Sequence, residues 1–416
     1  RRAQSPAAGR RGVVVVKVGF VTANYPPEVL GGTEQVVTAL ARELRARTID
    51  VVVISGSDEP HAGIDVGQES HEEVAVHRLR RFPDEADHRG FVRPRLLALV
   101  RESITRERPD VLHVHSLASF GGGVNAIARE LGIPVVMTFH DLYAVCARYF
   151  RVPVGGVSCP TDTDRTPCVT CVNHTLHTDP VIVWAALAER DRVMREEVAL
   201  ADACTVPSRT AAAFIRDGLP HPGRFEVIPH GLLRPVPAAE HASPPAPGEL
   251  LRVGTFGGLV PDKGVLELID AVTALPCELH LSGRMYGGEI GLRVRQRERQ
   301  GLRCVMHGPY GPERRHPARD LHLAVFPSKC QETYGLVVDE ALAHGVPTVV
   351  SDAGALRERR GQPGVVVTSI AQLAPVLREL VASPQALEAL RAAIPATLPT
   401  IAASAARHLE LYRRLT

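Results

Sequence analysis

Two successive series of short, β-branched, almost uncharged runs dominate this chain, and strands of that kind must be covered on both faces. The first series is VVVVKVGFVTA from Val13, VVVIS (51–55), VAVHRL (74–79), DVLHVH (110–115), PVVMTF (134–139), CTVPS (204–208) and FEVIP (225–229). The second is LRVGTF (251–256), CELHLSG (277–283), LRCVMHG (302–308), LHLAVFPS (321–328), PTVVSD (347–352) and GVVVT (364–368). Continuous apolar strands alternating with helical stretches, such as TEQVVTALARELRAR after the first run and 265–273 in the second series, belong in parallel sheets flanked by helices. Between the series lies RPVPAAEHASPPAPGE, rich in Pro, Ala and Ser and without periodicity, which reads as a linker. At 416 residues the chain suits two domains of roughly 200 residues each. These are 13–235 and 249–400, with a helical end over 401–416. The fold class is α/β with two doubly wound parallel-sheet domains, and ligands of such sheets lie beyond the carboxyl ends of the strands, so a central cleft is expected.

Composition narrows the partners. A net charge of +2 gives no electrostatic case for nucleic acid, and no segment reaches the about 18 to 20 apolar residues of a membrane span. The cluster Arg78, Arg80, Arg81 reads as a solvated face or as a meeting point for an anionic surface. The basic start RRAQSPAAGRRG precedes a short run, Val13 to Val18, interrupted by Lys17; this is a first strand, not a signal peptide. Eight cysteines without a secretory signal point to a reducing cytoplasm, a location that admits peripheral contact at the inner face of the membrane.

Several residues fall at the expected cleft. Gly31 and Gly32 follow the first strand, before a helix with Thr33 as its expected N-cap; paired glycines there let backbone N–H groups approach an anion, or simply make a turn. No G-x-G-x-x-G follows that strand, which weighs against a dinucleotide dehydrogenase. Lys263, in FGGLVPDKG, sits at a strand-to-helix corner where an ammonium meets phosphate, the plain alternative being a surface lysine. In ETYGLVVDEALAHGVP a helix is expected from Tyr334 to His344, its N-terminus toward the cleft and Glu332 just before it. Glu340 then falls inside the apolar arc of Leu336, Val337, Val338, Ala341 and Leu342, where a carboxylate needs either an exposed edge or hydrogen-bond donors, such as the vicinal hydroxyls of a ribose. His140 ends a strand in TFHD and His113 and His115 lie one strand earlier; strand-end histidines are structural or functional, and the last two read as structural.

The run PSKCQETYGLVVDEALAHGVPTVVSDAGALRE resembles the nucleotide-sugar signature of retaining glycosyltransferases of family 4, with two glutamates separated by seven residues. GGLVPDKG and PPEVLGGTEQVV are similar to that family's phosphate-side motifs, and the likeness runs from Val13 to about residue 410. It implies the GT-B fold, two Rossmann-like domains facing a cleft, the first on the acceptor side and the second binding the nucleotide sugar. It implies that Glu332 contacts donor-sugar hydroxyls, Glu340 the ribose and Lys263 the diphosphate, with Gly31 and Gly32 beside that diphosphate and Thr333, Tyr334 and Gly335 lining the donor. His140 matches the family's histidine near the transferred sugar, so His140, Glu332 and Lys263 are the expected catalytic set. Two positions depart. Gly258 stands where the family usually has arginine, so Lys263 carries more of the charge or Arg284 substitutes; and the usual paired glycines are here Gly354 and Ala355.

The resemblance implies transfer from a nucleoside diphosphate sugar to an acceptor hydroxyl on a glycan, lipid-linked sugar or small molecule. Configuration would be retained by front-face attack, the leaving phosphate assisting deprotonation, and no catalytic metal is required. The alternatives are a nucleotide-sugar epimerase on the same fold and a non-catalytic nucleotide-sugar-binding module. After HDLY comes a Gly-, Pro- and Thr-rich insertion in which Cys146, Cys159, Cys168 and Cys171 form C-x12-C-x8-C-x2-C. The pattern suits a structural zinc, against free thiols, disulfides or an iron–sulfur cluster; a subset of the family carries a similar loop. Cys204, Cys277, Cys304 and Cys330 read as core residues.

Overall fold

A computed structural model describes residues 16–28, 31–80, 92–219, 225–311 and 314–416. The expected start of the first strand at Val13, the basic N-terminal stretch, Val29 and Leu30 of PPEVLGG, and Arg81 lie outside the described residues. The strands are β1 (Lys17–Thr22), β2 (Asp50–Gly56), β3 (Asp65–His71), β4 (Val74–Arg80), β5 (Val111–Val114), β6 (Val135–Thr138), β7 (Ala203–Val206), β8 (Phe225–Val227), β9 (Leu251–Phe256), β10 (Cys277–Ser282), β11 (Cys304–Gly308), β12 (Leu323–Phe326), β13 (Thr348–Ser351) and β14 (Val365–Thr368). The helices are α1 (Gly32–Arg45), α2 (Pro94–Glu107), α3 (Val124–Glu130), α4 (Thr166–Leu176), α5 (Pro180–Leu200), α6 (Arg209–Gly218), α7 (Val265–Val272), α8 (Glu289–Glu298), α9 (Leu336–Ala343), α10 (Leu373–Ala382), α11 (Pro384–Ala392) and α12 (Ile401–Leu415).

The apolar runs became two sheets, ordered β3-β4-β2-β1-β5-β6-β7-β8 and β11-β10-β9-β12-β13-β14. Pairings are parallel except β3 with β4. In each sheet the chain steps outward to one side and then restarts on the other, at β1/β5 and at β9/β12, and these switch points open the crevices where ligands of such sheets bind. β3 is the strand that sequence reading missed. Its residues DVGQESH are polar and only partly buried, and it folds back on β4 through Glu72 and Glu73, both at positive φ as a two-residue hairpin turn requires.

The linker is docked rather than loose. Ala242 is buried and donates its N–H to His344 O (2.8 Å), and His344 Nδ1 lies 2.8 Å from Glu240 O, so the segment lies against the end of α9. Beside it the chain returns: Leu232 N–H donates to Pro399 O (2.8 Å) and Ile401 N–H to Leu232 O (3.0 Å). Gly231, at φ +72°, allows this crossing, since a Cβ there would stand 2.7 Å from the Thr400 carbonyl carbon. The returning chain delivers α12 to the first domain, where Ile401, Ala405, Leu409 and Tyr412 join the core of β1, β2 and α1. Among the described residues no helix is long and apolar enough to cross a membrane.

Candidate functional site

The loops after β1, β6, β9 and β12 meet between the domains. The loop after β9 forms a 3-10 turn over Pro261–Lys263, and Gly264 (φ +73°) turns it into α7. This aims Lys263 at the loop after β12, where its Nζ lies 2.5 Å from Glu332 Oε1; Ser328 Oγ donates to the same oxygen at 2.9 Å. Burial disfavours the Lys263 charge, but Glu332 and the neighbouring Cys330 outweigh it, so the ammonium's pKa is held above its ordinary value. The Glu332 backbone is clamped from the next loop: Ala355 N–H donates to Glu332 O (2.7 Å), and a Cβ on Gly354, at φ +58°, would fall 2.3 Å from Glu332 N and O. Gly354 is therefore required there. Ala355 is buried, and its methyl is accommodated.

The next residues reach across the cleft. Thr333 Oγ1 donates to His140 O at 2.5 Å, and the Tyr334 phenol oxygen accepts the Gly231 N–H at 2.9 Å. Gln331 N–H donates to Phe150 O (3.0 Å), so the cysteine-bearing insertion touches the same loop. Glu358 accepts the Thr210 N–H (2.6 Å) in the first turn of α6, closing the other flank of the cleft. Gly335, at φ +88°, starts α9 two residues later than the sequence predicts.

The face of α9 that packs inward carries Val338, Asp339, Ala341 and Leu342, so the buried carboxylate is not the expected one. Asp339 is 4% exposed and is held by Arg359, Nη1 to Oδ1 2.7 Å, whose guanidinium also covers the Tyr334 ring. Glu340, expected in the apolar arc, instead lies on a half-exposed edge with His316 Nε2 3.7 Å away and Tyr310 nearby. His316 in turn stacks on His344 and meets Phe256 edge-on, so Glu340 borders an aromatic wall. A one-residue rotation of the helix separates expectation from structure.

The phosphate-side glycines also differ from expectation. Gly31, not Thr33, caps α1, and the Glu34 side chain reaches back so that Oε2 accepts the Gly31 N–H at 2.8 Å. A carboxylate thus already occupies the helix N-terminus. Burial pushes the Glu34 pKa up, with Asp141 and Asp58 adding to it and the backbone N–H groups opposing. A glutamate three residues after the cap was the legible signal for this arrangement. Gly32 packs against Leu336 of α9, where a Cβ would stand 3.4 Å from Cδ1. Arg284 is exposed on the segment beside Gly258, with its carbonyl accepting the Leu259 N–H (2.9 Å).

His140 is half-buried, with its two ring nitrogens near His115 Nδ1 (2.9 Å) and His230 Nε2 (3.4 Å). Burial, then His115, drives its pKa well below the ordinary histidine value. Sequence reading left His115 as structural and passed over His230; each is a direct partner of His140.

In the insertion, Cys168 and Cys171 lie one turn apart at the start of α4, and Cys146 and Cys159 precede it; all four are half-buried free thiols. Burial pushes the Cys168 thiol up to about 11, and Cys146, Cys159 and Cys171 add to the shift. The donor set is right in kind for zinc, yet among the described residues no group of three or more His, Cys, Asp or Glu side chains is arranged to hold a metal ion. The four thiols share a neighbourhood without converging on one point. Of the remaining cysteines, Cys204, Cys277 and Cys330 are buried as expected and Cys304 is half-buried.

Residues 30–232 match the family described as Glycosyltransferase Family 4, and residues 250–383 match Glycosyl transferases group 1. A GDP-mannose-dependent alpha-mannosyltransferase of Mycobacterium tuberculosis is 28% identical over 358 residues, 82% of this chain and 81% of that one. An MMP alpha-(1->4)-mannosyltransferase of Mycolicibacterium hassiacum is 26% identical over 72% of this chain and 69% of its own length. Among solved structures, Anabaena HepE in complex with UDP and glucose superimposes with a TM-score of 0.63 at 17% identity, covering 96% of this chain and all 100% of that one. A UDP-forming alpha,alpha-trehalose-phosphate synthase from Burkholderia vietnamiensis gives 0.65 at 14% identity, covering 96% and 99%. At these identities the structures speak for the fold alone, while the two family matches cover the strands from β2 to β14 and the loops after β6, β9 and β12. The chain belongs to glycosyltransferase family 4 and is a glycosyltransferase of the GT-B fold.

Proposed function

We propose that this glycosyltransferase moves mannose from GDP-mannose to the hydroxyl of a sugar-containing acceptor, with retention of configuration. The observation that carries the reading is the contact between Lys263 and Glu332, a cation and a carboxylate brought from two strand ends to one point beside the switch of the second sheet. Mannose and guanosine come from the names of the curated relatives, which also favour transfer over epimerisation or simple binding.

In this reading the diphosphate takes Lys263 and the free N–H groups at the start of α9, and the exposed Arg284 stands in for the cation absent at Gly258. Glu332 accepts from hydroxyls of the mannose, Glu340 from those of the ribose, and His140 lies beside the transferred sugar. Lys263 then stabilises the charge that builds on the leaving diphosphate, so the step needs no catalytic metal. The departing phosphate oxygen takes the acceptor proton on the same face. Zinc in the cysteine loop belongs to this proposal as a structural element, supported by four half-buried free thiols carried by one short insertion. Peripheral membrane contact is supported by the α4–α5 hairpin, where Leu176, Val181, Ile182 and Trp184 are exposed and no charged residue occurs from Pro180 to Ala188. Trp184 is the single tryptophan, so its emission reports contact with phospholipid vesicles directly.

The test is a thermal-shift panel of GDP-mannose, GDP, UDP-glucose and UDP, followed by NMR of the product anomer. Stabilisation by GDP-mannose and an α-linked product are expected. Stabilisation by UDP-glucose alone, or an inverted anomer, would refute the reading.

A further inference from the structure

Histidines from four parts of the chain form a column from the C-terminal helix to the cleft. Ring centroids of His408 (α12) and His113 (β5) are 5.3 Å apart, His113 and His115 3.9 Å, His115 and His140 5.1 Å, and His140 and His230 5.0 Å. Beyond His230 stands Tyr334 of the second domain, at 5.1 Å. His115 and His230 are each 4% exposed, whereas His140 alone of this trio reaches the cleft. Burial first, and the neighbouring imidazoles next, keep His113, His115, His140 and His230 neutral.

A neutral imidazole has one N–H and one acceptor nitrogen, so the tautomers of bonded histidines are linked. Along His115 Nδ1, His140 Nε2, His140 Nδ1 and His230 Nε2 the protons point either toward His230 or toward His115. Among the described residues the buried His115 Nε2 has no hydrogen-bond partner, and this decides the direction. Protons pointing toward His115 would leave that Nε2 as a buried N–H with nothing to bond; protons pointing toward His230 leave only a lone pair, the milder defect. His140 therefore accepts at Nε2 from His115 and donates from Nδ1. Its acceptor, His230, is at 3.4 Å, near the limit of a hydrogen bond, whereas the bond from His115 is 2.9 Å.

We infer that His115 and His230 are positioning residues that fix His140 as the Nδ1–H tautomer, and that His140 exchanges the long contact with His230 for a hydroxyl of the transferred sugar. The exchange rests on the proposed placement of His140 beside that sugar; the tautomer does not.

Selective 15N labelling of histidine in the wild-type enzyme reads the tautomer by long-range 1H–15N correlation, with His140→Gln assigning the resonances. A Nδ1–H signal for His140 is expected, and a Nε2–H signal would overturn the inference. Kinetics then separate positioning from packing. His115→Asn keeps a side-chain N–H near the Nδ1 position and should retain activity within about threefold, while His115→Phe fills the space without a donor and should lower kcat about tenfold with KM within about twofold. Equal activity of the two would overturn the positioning role, with thermal melts checking that both fold. Full activity of His140→Gln would remove the placement beside the sugar and with it the exchange, leaving the tautomer result standing by itself.

Discussion

Replacing Lys263 by methionine keeps the length of the side chain and removes the ammonium that lies 2.5 Å from Glu332 Oε1. The two side chains are 35% and 18% exposed, so the pair works in a medium between protein and water. Unit charges about 4 Å apart attract by about 4 kcal/mol at an effective dielectric of 20 and about 1 kcal/mol in water. Lost hydration opposes that attraction, and the lysine's exposure screens it, leaving a net coupling of about 1 to 2 kcal/mol. A cycle of Lys263→Met, Glu332→Gln and the double variant, followed by urea unfolding without donor, should return that coupling. Catalysis should suffer more, because the ammonium also meets charge that develops as the diphosphate leaves. A fall of about 10² to 10³ in kcat is expected for Lys263→Met, with GDP affinity by calorimetry weakened about tenfold. Unchanged GDP affinity would place the phosphate elsewhere, and a coupling within about 0.3 kcal/mol of zero would mean that the pair is not formed in solution.

The Glu34 carboxylate at the α1 N-terminus has its pKa raised by burial, so the folded state holds a proton that the unfolded chain has lost, and stability falls as pH rises through that window. Glu34→Gln should therefore gain stability relative to the parent as pH rises above the ordinary glutamate range, and should bind GDP more tightly by removing a negative charge beside the diphosphate; a pH-independent difference would refute the burial argument. Glu340→Ala should raise the KM for GDP-mannose about tenfold with little change in kcat, and a loss confined to kcat would move it off the ribose. A methyl at Gly354 strikes the Glu332 backbone, so Gly354→Ala should cost about 1 to 3 kcal/mol of stability and abolish most transfer; a fully active variant would show that the Glu332 loop can shift. Elemental analysis of protein purified under reducing conditions should find about one zinc per chain, lost in Cys168→Ser with Cys171→Ser. Metal-free protein whose four loop thiols are all alkylated without change in fold would end the zinc reading, and iron with a visible absorption band would replace it with a cluster.

The strands were largely legible because a strand buried on both faces writes its burial into consecutive residues. LRVGTF became β9 over Leu251–Phe256, residue for residue, and CELHLS became β10. β3 left no such mark, since an edge strand that faces water on one side can be built from DVGQESH and declares itself only by its partner. Lys263 and Glu332 could each be singled out from the turn chemistry around them. Their contact, across 68 intervening residues, follows only from β9 lying next to β12. Periodicity placed a carboxylate in the apolar arc of α9 but chose Glu340. The choice of Asp339 was made by the face of α9 that packs inward and by Arg359 arriving 20 residues on to receive the charge. The histidine column is further still from any local pattern: His113, His115, His140, His230 and His408 come from strand ends, a linker approach and the final helix. Local sequence sets which backbone shape each segment prefers, through side chains within a few residues of one another. Which imidazole hydrogen-bonds to which is set by sheet order and by the return of α12 to the first domain, and those are properties of the whole chain packed together.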